Sequence, residues 1–169
     1  MSSRLIVTGS SESGKTYWVK RYLRGIKRVL VMDLLKEYDL DPIGDFLALR
    51  DYFLGHRSKT WRLSYRPELI ARAVSFGLIC EWVFDVGKMV FVVEEISWYA
   101  KSTMVPPEFE NLIARGRHHD IDLIVTCQRP FQLPMLYRDN ATRLLCFRTH
   151  EPNSLDYLKS WIRSELVDL

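Results

Sequence analysis

Cysteine is scarce in this 169-residue chain: Cys80, Cys127 and Cys146 are far apart and odd in number. None belongs to a C-x-x-C pair and each lies in an apolar stretch, which argues against a disulfide framework and predicts buried, reduced thiols. The four histidines, His56, His118, His119 and His150, lack metal-ligand spacing with those cysteines, so a zinc site is not expected. No charged start leads into the apolar core of a secretory signal, and no apolar run is long enough to span a bilayer. Internal repeats, low-complexity tracts and linkers are missing too, which predicts a single domain over 1–169 in a reducing cytoplasm, with no membrane insertion. Nor is there a large excess of one charge. The formal net charge is +3, which permits a nucleic-acid partner without requiring one. With 47% hydrophobic and 27% charged residues, the composition is that of a folded globular chain.

What is present is concentrated near the N-terminus. Gly9-Ser10-Ser11-Glu12-Ser13-Gly14-Lys15-Thr16 fits the P-loop pattern G-x-x-x-x-G-K-[ST] at every defined position. Two glycines at that spacing allow a tight loop whose backbone N–H groups turn inward and cradle phosphate oxygens. Lys15 is placed to reach the β- and γ-phosphates of ATP, and the Thr16 hydroxyl to ligand a Mg2+ ion. Arg4 to Thr8 reads as a buried strand before the loop. After it, Trp18 with Tyr22 and Val19 with Leu23 fall at helical i,i+4 spacing. Strand, glycine loop and helix are the context the motif needs, and the helix start adds its positive dipole end to the anion site. The motif does not by itself separate ATPase from GTPase, kinase or inert binder.

Farther along, Gly25 reads as a helix stop and Arg28 to Asp33 as a second strand ending in a carboxylate. Asp41-Pro42 opens a segment predicted to hold a short helix with Phe46, Leu47 and Leu49. Thr60 to Tyr65 suits a short strand. Pro67 to Phe84, with Leu69, Ile70, Ala73, Val74, Leu78 and Ile79, reads as a buried helix apolar nearly all round. Lys88 to Val93 is a strand closed by Glu94 and Glu95. Pro106-Pro107 starts a helix carrying Phe109, Leu112 and Ile113 that ends near Gly116. Strands are expected over Ile121 to Thr126 and Arg143 to Thr149, then a helix from Pro152 with Leu155, Leu158 and Ile162 on one face. Apolar strands alternating with helices predict an α/β fold of the P-loop NTPase kind, a mostly parallel sheet covered on both faces. Ligands of such sheets bind at the carboxyl ends of the strands, where the P-loop, Glu94-Glu95 and Gln128 all fall.

A P-loop enzyme needs acids at a neighbouring strand end, one toward the metal and one polarising the attacking water. Glu94 is the candidate for the magnesium shell and Glu95 for the general base. Gln128 can hydrogen-bond a γ-phosphate oxygen or the attacking water, or cap the following turn. Arg115 and Arg117 either complement the helix dipole or reach a neighbouring subunit's nucleotide as arginine fingers.

The stretch Ala114 to Pro130, ending in Thr126-Cys127-Gln128-Arg129-Pro130, resembles the sensor region of the FtsK–HerA superfamily of DNA-pumping P-loop ATPases. Asn140 to Arg148 resembles the strand that follows it there. The resemblance implies a sheet in which the Gln128 strand lies between the P-loop strand and the Glu94-Glu95 strand. It further implies a homo-oligomeric ring, a pentamer or hexamer, with double-stranded DNA through its centre. Gln128 then senses the γ-phosphate, and Arg117 matches the family's arginine position best, with Arg115 second. Two departures stand out: Glu94 replaces the usual Asp, and the chain is short, lacking the extra domain of many relatives. The short chain fits a minimal viral genome-packaging ATPase, acting in the host cytoplasm with a capsid or portal partner. The alternatives are an export or assembly ATPase of filamentous-phage or conjugation type, a nucleotide-gated binding module with little turnover, and a small-molecule kinase.

A DNA pump needs cationic loops that contact phosphates without reading sequence. Lys101, in the loop after the acids, and Arg57 and Lys59, interleaved with Trp61, are the candidates.

Overall fold

A computed structural model describes residues 3–56, 60–67, 72–101 and 103–166, with the backbone alone for 72–74 and 162–166. Seven strands form one sheet in the order β3-β4-β2-β5-β6-β1-β7: β1 Arg4–Thr8, β2 Arg28–Met32, β3 Asp41–Ile43, β4 Trp61–Tyr65, β5 Met89–Val93, β6 Ile121–Cys127 and β7 Arg143–Cys146. Every pairing is parallel. The Gln128-bearing strand β6 lies between β1 and β5, as the resemblance implied.

Parallel strands need crossovers, and helices supply them. These are α1 Lys15–Tyr22, α2 Phe46–Gly55, α3 Arg72–Val86, α4 Pro107–Arg115, α5 Met135–Asn140 and α6 Pro152–Leu166. Although the central strands are apolar throughout, successive side chains point to opposite faces, so two cores result. Leu30, Met32, Phe91, Leu123 and Val125 pack with Phe76, Ile79 and Val83 of α3 and Phe109 and Leu112 of α4. The alternate residues Leu5, Val7, Val29, Val31, Val90, Val92 and Ile124 pack with Val19 and Leu23 of α1. Each fully buried side chain of this size contributes about 1.5–3 kcal/mol. Tyr137 of α5 is sealed inside, its hydroxyl donating to the carbonyls of Leu5 and Leu123 at 3.1 and 3.0 Å.

Several expectations change. Asp41–Ile43 is a strand rather than a lead-in to a helix; it is an edge strand, where Pro42 is tolerated. Helix α5 follows the sensor region, where no helix was expected. The last strand stops at Cys146 rather than Thr149, because the chain then turns across the P-loop. Cys146 is exposed, unlike buried Cys80 and Cys127, since β7 is the outermost strand of the sheet. Leu78 of α3 is also exposed. Leu69 and Ile70, and the side chains of Ala73, Val74 and Ile162, lie outside what is described. Among the described residues no helix is long and apolar enough to cross a membrane.

Candidate nucleotide site

The P-loop leaves β1 at Gly9 and enters α1 at Lys15. Gly9 (φ 151°) and Gly14 (φ 102°) have backbone angles that other residues rarely adopt. Behind the loop passes the segment after β7: Phe147 N–H donates to the Thr8 carbonyl at 2.7 Å, and Ser10 N–H donates to the Arg148 carbonyl at 2.9 Å. A Cβ on Gly9 would stand 2.7 Å from the Phe147 Cβ. We therefore expect Gly9→Ala to lower stability by about 1–3 kcal/mol and to weaken nucleotide binding. Thermal melting with a nucleotide titration checks this, and a variant that melts and binds as the parent does contradicts it.

Lys15 is buried, and its Nζ donates to the carbonyls of Gly9 and Ser10 at 2.9 and 2.8 Å. The Thr16 hydroxyl donates to Glu94 Oε1 at 3.2 Å, while Glu94 Oε2 is buried without a hydrogen-bond partner. A hydroxyl and a carboxylate with an uncommitted oxygen are hard oxygen donors of the kind Mg2+ takes, so these residues fit that ion. Thr16 and Glu94 are the two that could hold it.

Glu94 is only 3% exposed. Burial first, then the charges of Glu37 and Asp33, push its carboxyl from 4.5 to about 8; the Thr16 hydrogen bond opposes this and Glu95 adds to it. Asp33 is held by Arg66 Nε at 2.9 Å and by the backbone N–H groups of Glu37 and Tyr38. Between 4.5 and about 8 the folded chain keeps a proton that the unfolded chain has released. Stability therefore falls as pH rises through that window, by up to about 1.4 kcal/mol per pH unit, and levels off above it. Glu94→Gln should flatten that slope in denaturation curves of the nucleotide-free protein; parallel curves for parent and variant contradict the account.

Glu95 follows with φ 46°, in the left-handed region. Its N–H donates to Thr126 Oγ1 at 2.8 Å, and Ser97 Oγ donates to its Oε1 at 3.2 Å, so both backbone and carboxylate are fixed. Glu95 and Gln128 line one cavity of about 270 Å³, together with Cys127, Trp98 and Arg129. Cys127 feels both charges: burial first pushes its thiol up to about 12, a Thr8 hydrogen bond lowers it, Glu95 raises it and Lys15 lowers it. Thr8 pairs with Cys127 and Val93 with Val125, so Gly9, Gln128 and the two acids leave the sheet along one edge. Lys15, Glu95 and Gln128 thus share one edge: the Gly9 carbonyl accepts from Lys15 Nζ, the Gly9 N–H donates to the Cys127 carbonyl at 3.3 Å, and Cys127 lines the cavity with Glu95 and Gln128.

Arg115 and Arg117 are not brought to this edge. Arg115 ends α4, with Nη1 3.5 Å from Asn111 Oδ1 and its guanidinium 5.7 Å from the Phe84 ring centre. Arg117 lies in the 3-10 turn Gly116–His119 that precedes β6. Seven residues of β6 separate that turn from Gln128, roughly 20 Å at the rise of a strand. Lys101 is exposed in the turn it forms with Met104, just beyond the Glu95 cavity. Arg57 and Lys59 lie outside the described residues.

No family model matches the sequence, and no curated protein matches it. Solved structures do match. The genome packaging NTPase B204 from Sulfolobus turreted icosahedral virus 2, in complex with ATP-gammaS, superposes with a TM-score of 0.74 at 22% identity, over 96% of this chain and 83% of B204. The chain has a P-loop NTPase fold. The same fold relates it to the N-terminal domain of zonular occludens toxin from Neisseria meningitidis, with a TM-score of 0.56 at 20% identity, over 86% of this chain and 76% of that one. The cytoplasmic domain of EssC matches with a TM-score of 0.57 at 12% identity, over 92% of this chain and 33% of that one. The missed contributors to this P-loop NTPase fold are Phe147 and Arg148, which back the loop, and Asp33 and Glu37, which act on Glu94. Asp33 had a local signal, a carboxylate closing a strand; the others had none.

Proposed function

We propose that this chain is a genome-packaging ATPase, which binds ATP with Mg2+ at the edge formed by β1, β6 and β5 and couples its hydrolysis to movement of double-stranded DNA. The observation that carries the reading is the gathering of Lys15, Glu95 and Gln128 at one strand edge, joined through Gly9 and Cys127. The likeness in fold to a viral packaging NTPase solved with ATP-gammaS supports it.

In this reading the backbone from Gly9 to Thr16 and Lys15 hold the phosphates. Thr16 and Glu94 hold Mg2+, which when bound neutralises charge on the phosphate oxygens. Glu95 accepts a proton from a water whose oxygen then bonds to the γ-phosphorus as the bond to the bridging oxygen breaks, giving ADP and phosphate. Gln128 orients that water or the γ-phosphate. The Arg117 turn is too far from its own site to act there, so its arginine serves the next subunit of a head-to-tail ring, with Arg115 the second candidate. Lys101, with Arg57 and Lys59, supplies cationic contacts to the DNA backbone.

ATP turnover measured with and without duplex DNA tests this. Stimulation by duplexes of unrelated sequence, weakening as salt rises, is expected. Turnover indifferent to duplex DNA contradicts the DNA role, and phosphate transfer to a small acceptor contradicts the hydrolase.

A further inference from the structure

Arg4 opens the strand that ends in the P-loop, yet its side chain is spent entirely at the opposite end of the sheet. The residue is only 3% exposed. Its Nε donates to the Ile113 carbonyl at 3.2 Å and its Nη2 to the Leu112 carbonyl at 3.3 Å. Both carbonyls belong to the last turn of α4, where helix geometry leaves acceptors short of partners; the Leu112 carbonyl also accepts the Gly116 N–H. Its Nη1 donates to the Ile121 carbonyl at 3.0 Å, the first residue of β6, and to the Ser3 carbonyl at 3.3 Å. One guanidinium therefore grips both ends of the short turn that bears Arg115 and Arg117. The planar, five-donor head of arginine suits four acceptors held apart; lysine gathers its three donors on one nitrogen and cannot span them.

The anchor is itself rigid. Arg4 N–H donates to Thr142 Oγ1 at 3.0 Å, and its carbonyl accepts from the Thr142 N–H at 2.8 Å. Arg4 pairs with Leu123 across β6, four residues before Thr8 and the P-loop. Gly116 makes the close approach possible, since a Cβ there would stand 3.2 Å from Arg4 Nη2 and 3.3 Å from Leu112 Cδ1. Arg117 is near enough to be felt: burial is the largest influence lowering the Arg4 pKa, Tyr137 and Asp122 oppose it, and Arg117 lowers it further.

We infer that Arg4 is a positioning residue for hydrolysis in the neighbouring subunit, fixing the Arg115–Arg117 turn to the strand that carries the chain's own P-loop. This rests on the reading of Arg117 as a residue acting in trans. Cis and trans halves of the machinery are then mounted on the two ends of β1. A displacement of about 1 Å at a charge-stabilising group can lower a rate on the order of a hundredfold.

Arg4→Met removes a donor from four carbonyls, of which Leu112 and Ser3 keep a backbone donor from Gly116 and Leu123, and risks misfolding. The test therefore uses Arg4→Lys and Gly116→Ala, each in the full chain, with ATP affinity measured in dilute solution and turnover in the assembled state. We expect ATP affinity within about twofold of the parent and assembled turnover lower by roughly a hundredfold. Each variant is then mixed with Lys15→Ala chains, which keep the turn but lack the phosphate-binding lysine. Mixed assemblies should regain turnover at roughly a quarter of their interfaces, where an intact P-loop meets an intact turn. Arg117→Ala mixed with Lys15→Ala is the reference. If that reference pair fails to regain turnover, the trans reading of Arg117 falls and this inference with it. If the reference pair succeeds while the Arg4 and Gly116 variants turn over normally, or lose ATP affinity and regain nothing on mixing, Arg4 does not position the turn.

Discussion

Glu95→Gln should bind ATP as the parent does and turn it over slower by about two to four orders of magnitude, the span that a positioned general base contributes. The substitution is well isolated. Glu95 is held by its backbone, through the N–H donated to Thr126 Oγ1, and by its side chain, through the hydroxyl of Ser97. A glutamine keeps an oxygen where Ser97 Oγ now donates, so the left-handed turn and the cavity it lines have no reason to change. The groups assigned to phosphate binding, on β1 and α1, are untouched. What is lost is the ability to take a proton from water. Nucleotide titration and steady-state turnover on the same preparation check the split. Turnover within a few-fold of the parent removes Glu95 from the base role, while loss of affinity along with turnover marks damage to the fold.

The second large effect is expected at Arg117, and its signature is a dependence on assembly. An arginine supplied to a γ-phosphate by a neighbour is worth about three to five orders of magnitude in rate. Arg117 precedes β6, whereas Gln128 follows it, so the two cannot meet within one chain. Arg117→Ala should therefore leave the slow turnover of the dilute chain unchanged and remove the acceleration that comes with assembly. Turnover followed across a wide range of protein concentration reads both regimes. An equal loss in the dilute chain contradicts action in trans. Arg115→Ala is the internal comparison: its guanidinium already engages Asn111 and the Phe84 ring, and we expect a much smaller effect.

The features legible in the sequence were those carried by local pattern. A glycine-bounded loop after a five-residue apolar strand, two acids closing another strand and Gln128 closing a third gave the α/β class and the strand ends. Position within the sheet is not local, and there the reading fell short. Cys146 sits in the same kind of apolar stretch as Cys127, but one strand has neighbours on both sides and the other has none beyond it. The three-residue strand Asp41–Ile43 is too short for a periodic signal, and its proline argues against a strand unless the edge position is known. The raised carboxyl of Glu94 comes first from burial and then from Glu37 and Asp33, which β2 brings beside β5 from about sixty residues away. Arg4 is the sharpest case. In sequence it is only the polar first residue of a strand, and its four hydrogen bonds exist because α4 ends over it.

Every role proposed for Lys15, Glu95 and Gln128 requires a triphosphate at the strand edge where they meet. A crystal structure of the chain with a non-hydrolysable ATP analogue and Mg2+ tests it most directly. Phosphates are expected inside the loop from Gly9 to Thr16, the metal beside Thr16 and Glu94, and the γ-phosphate facing Glu95 and Gln128. An analogue bound on another face of the sheet, with this edge left without phosphate at saturating concentration, contradicts it.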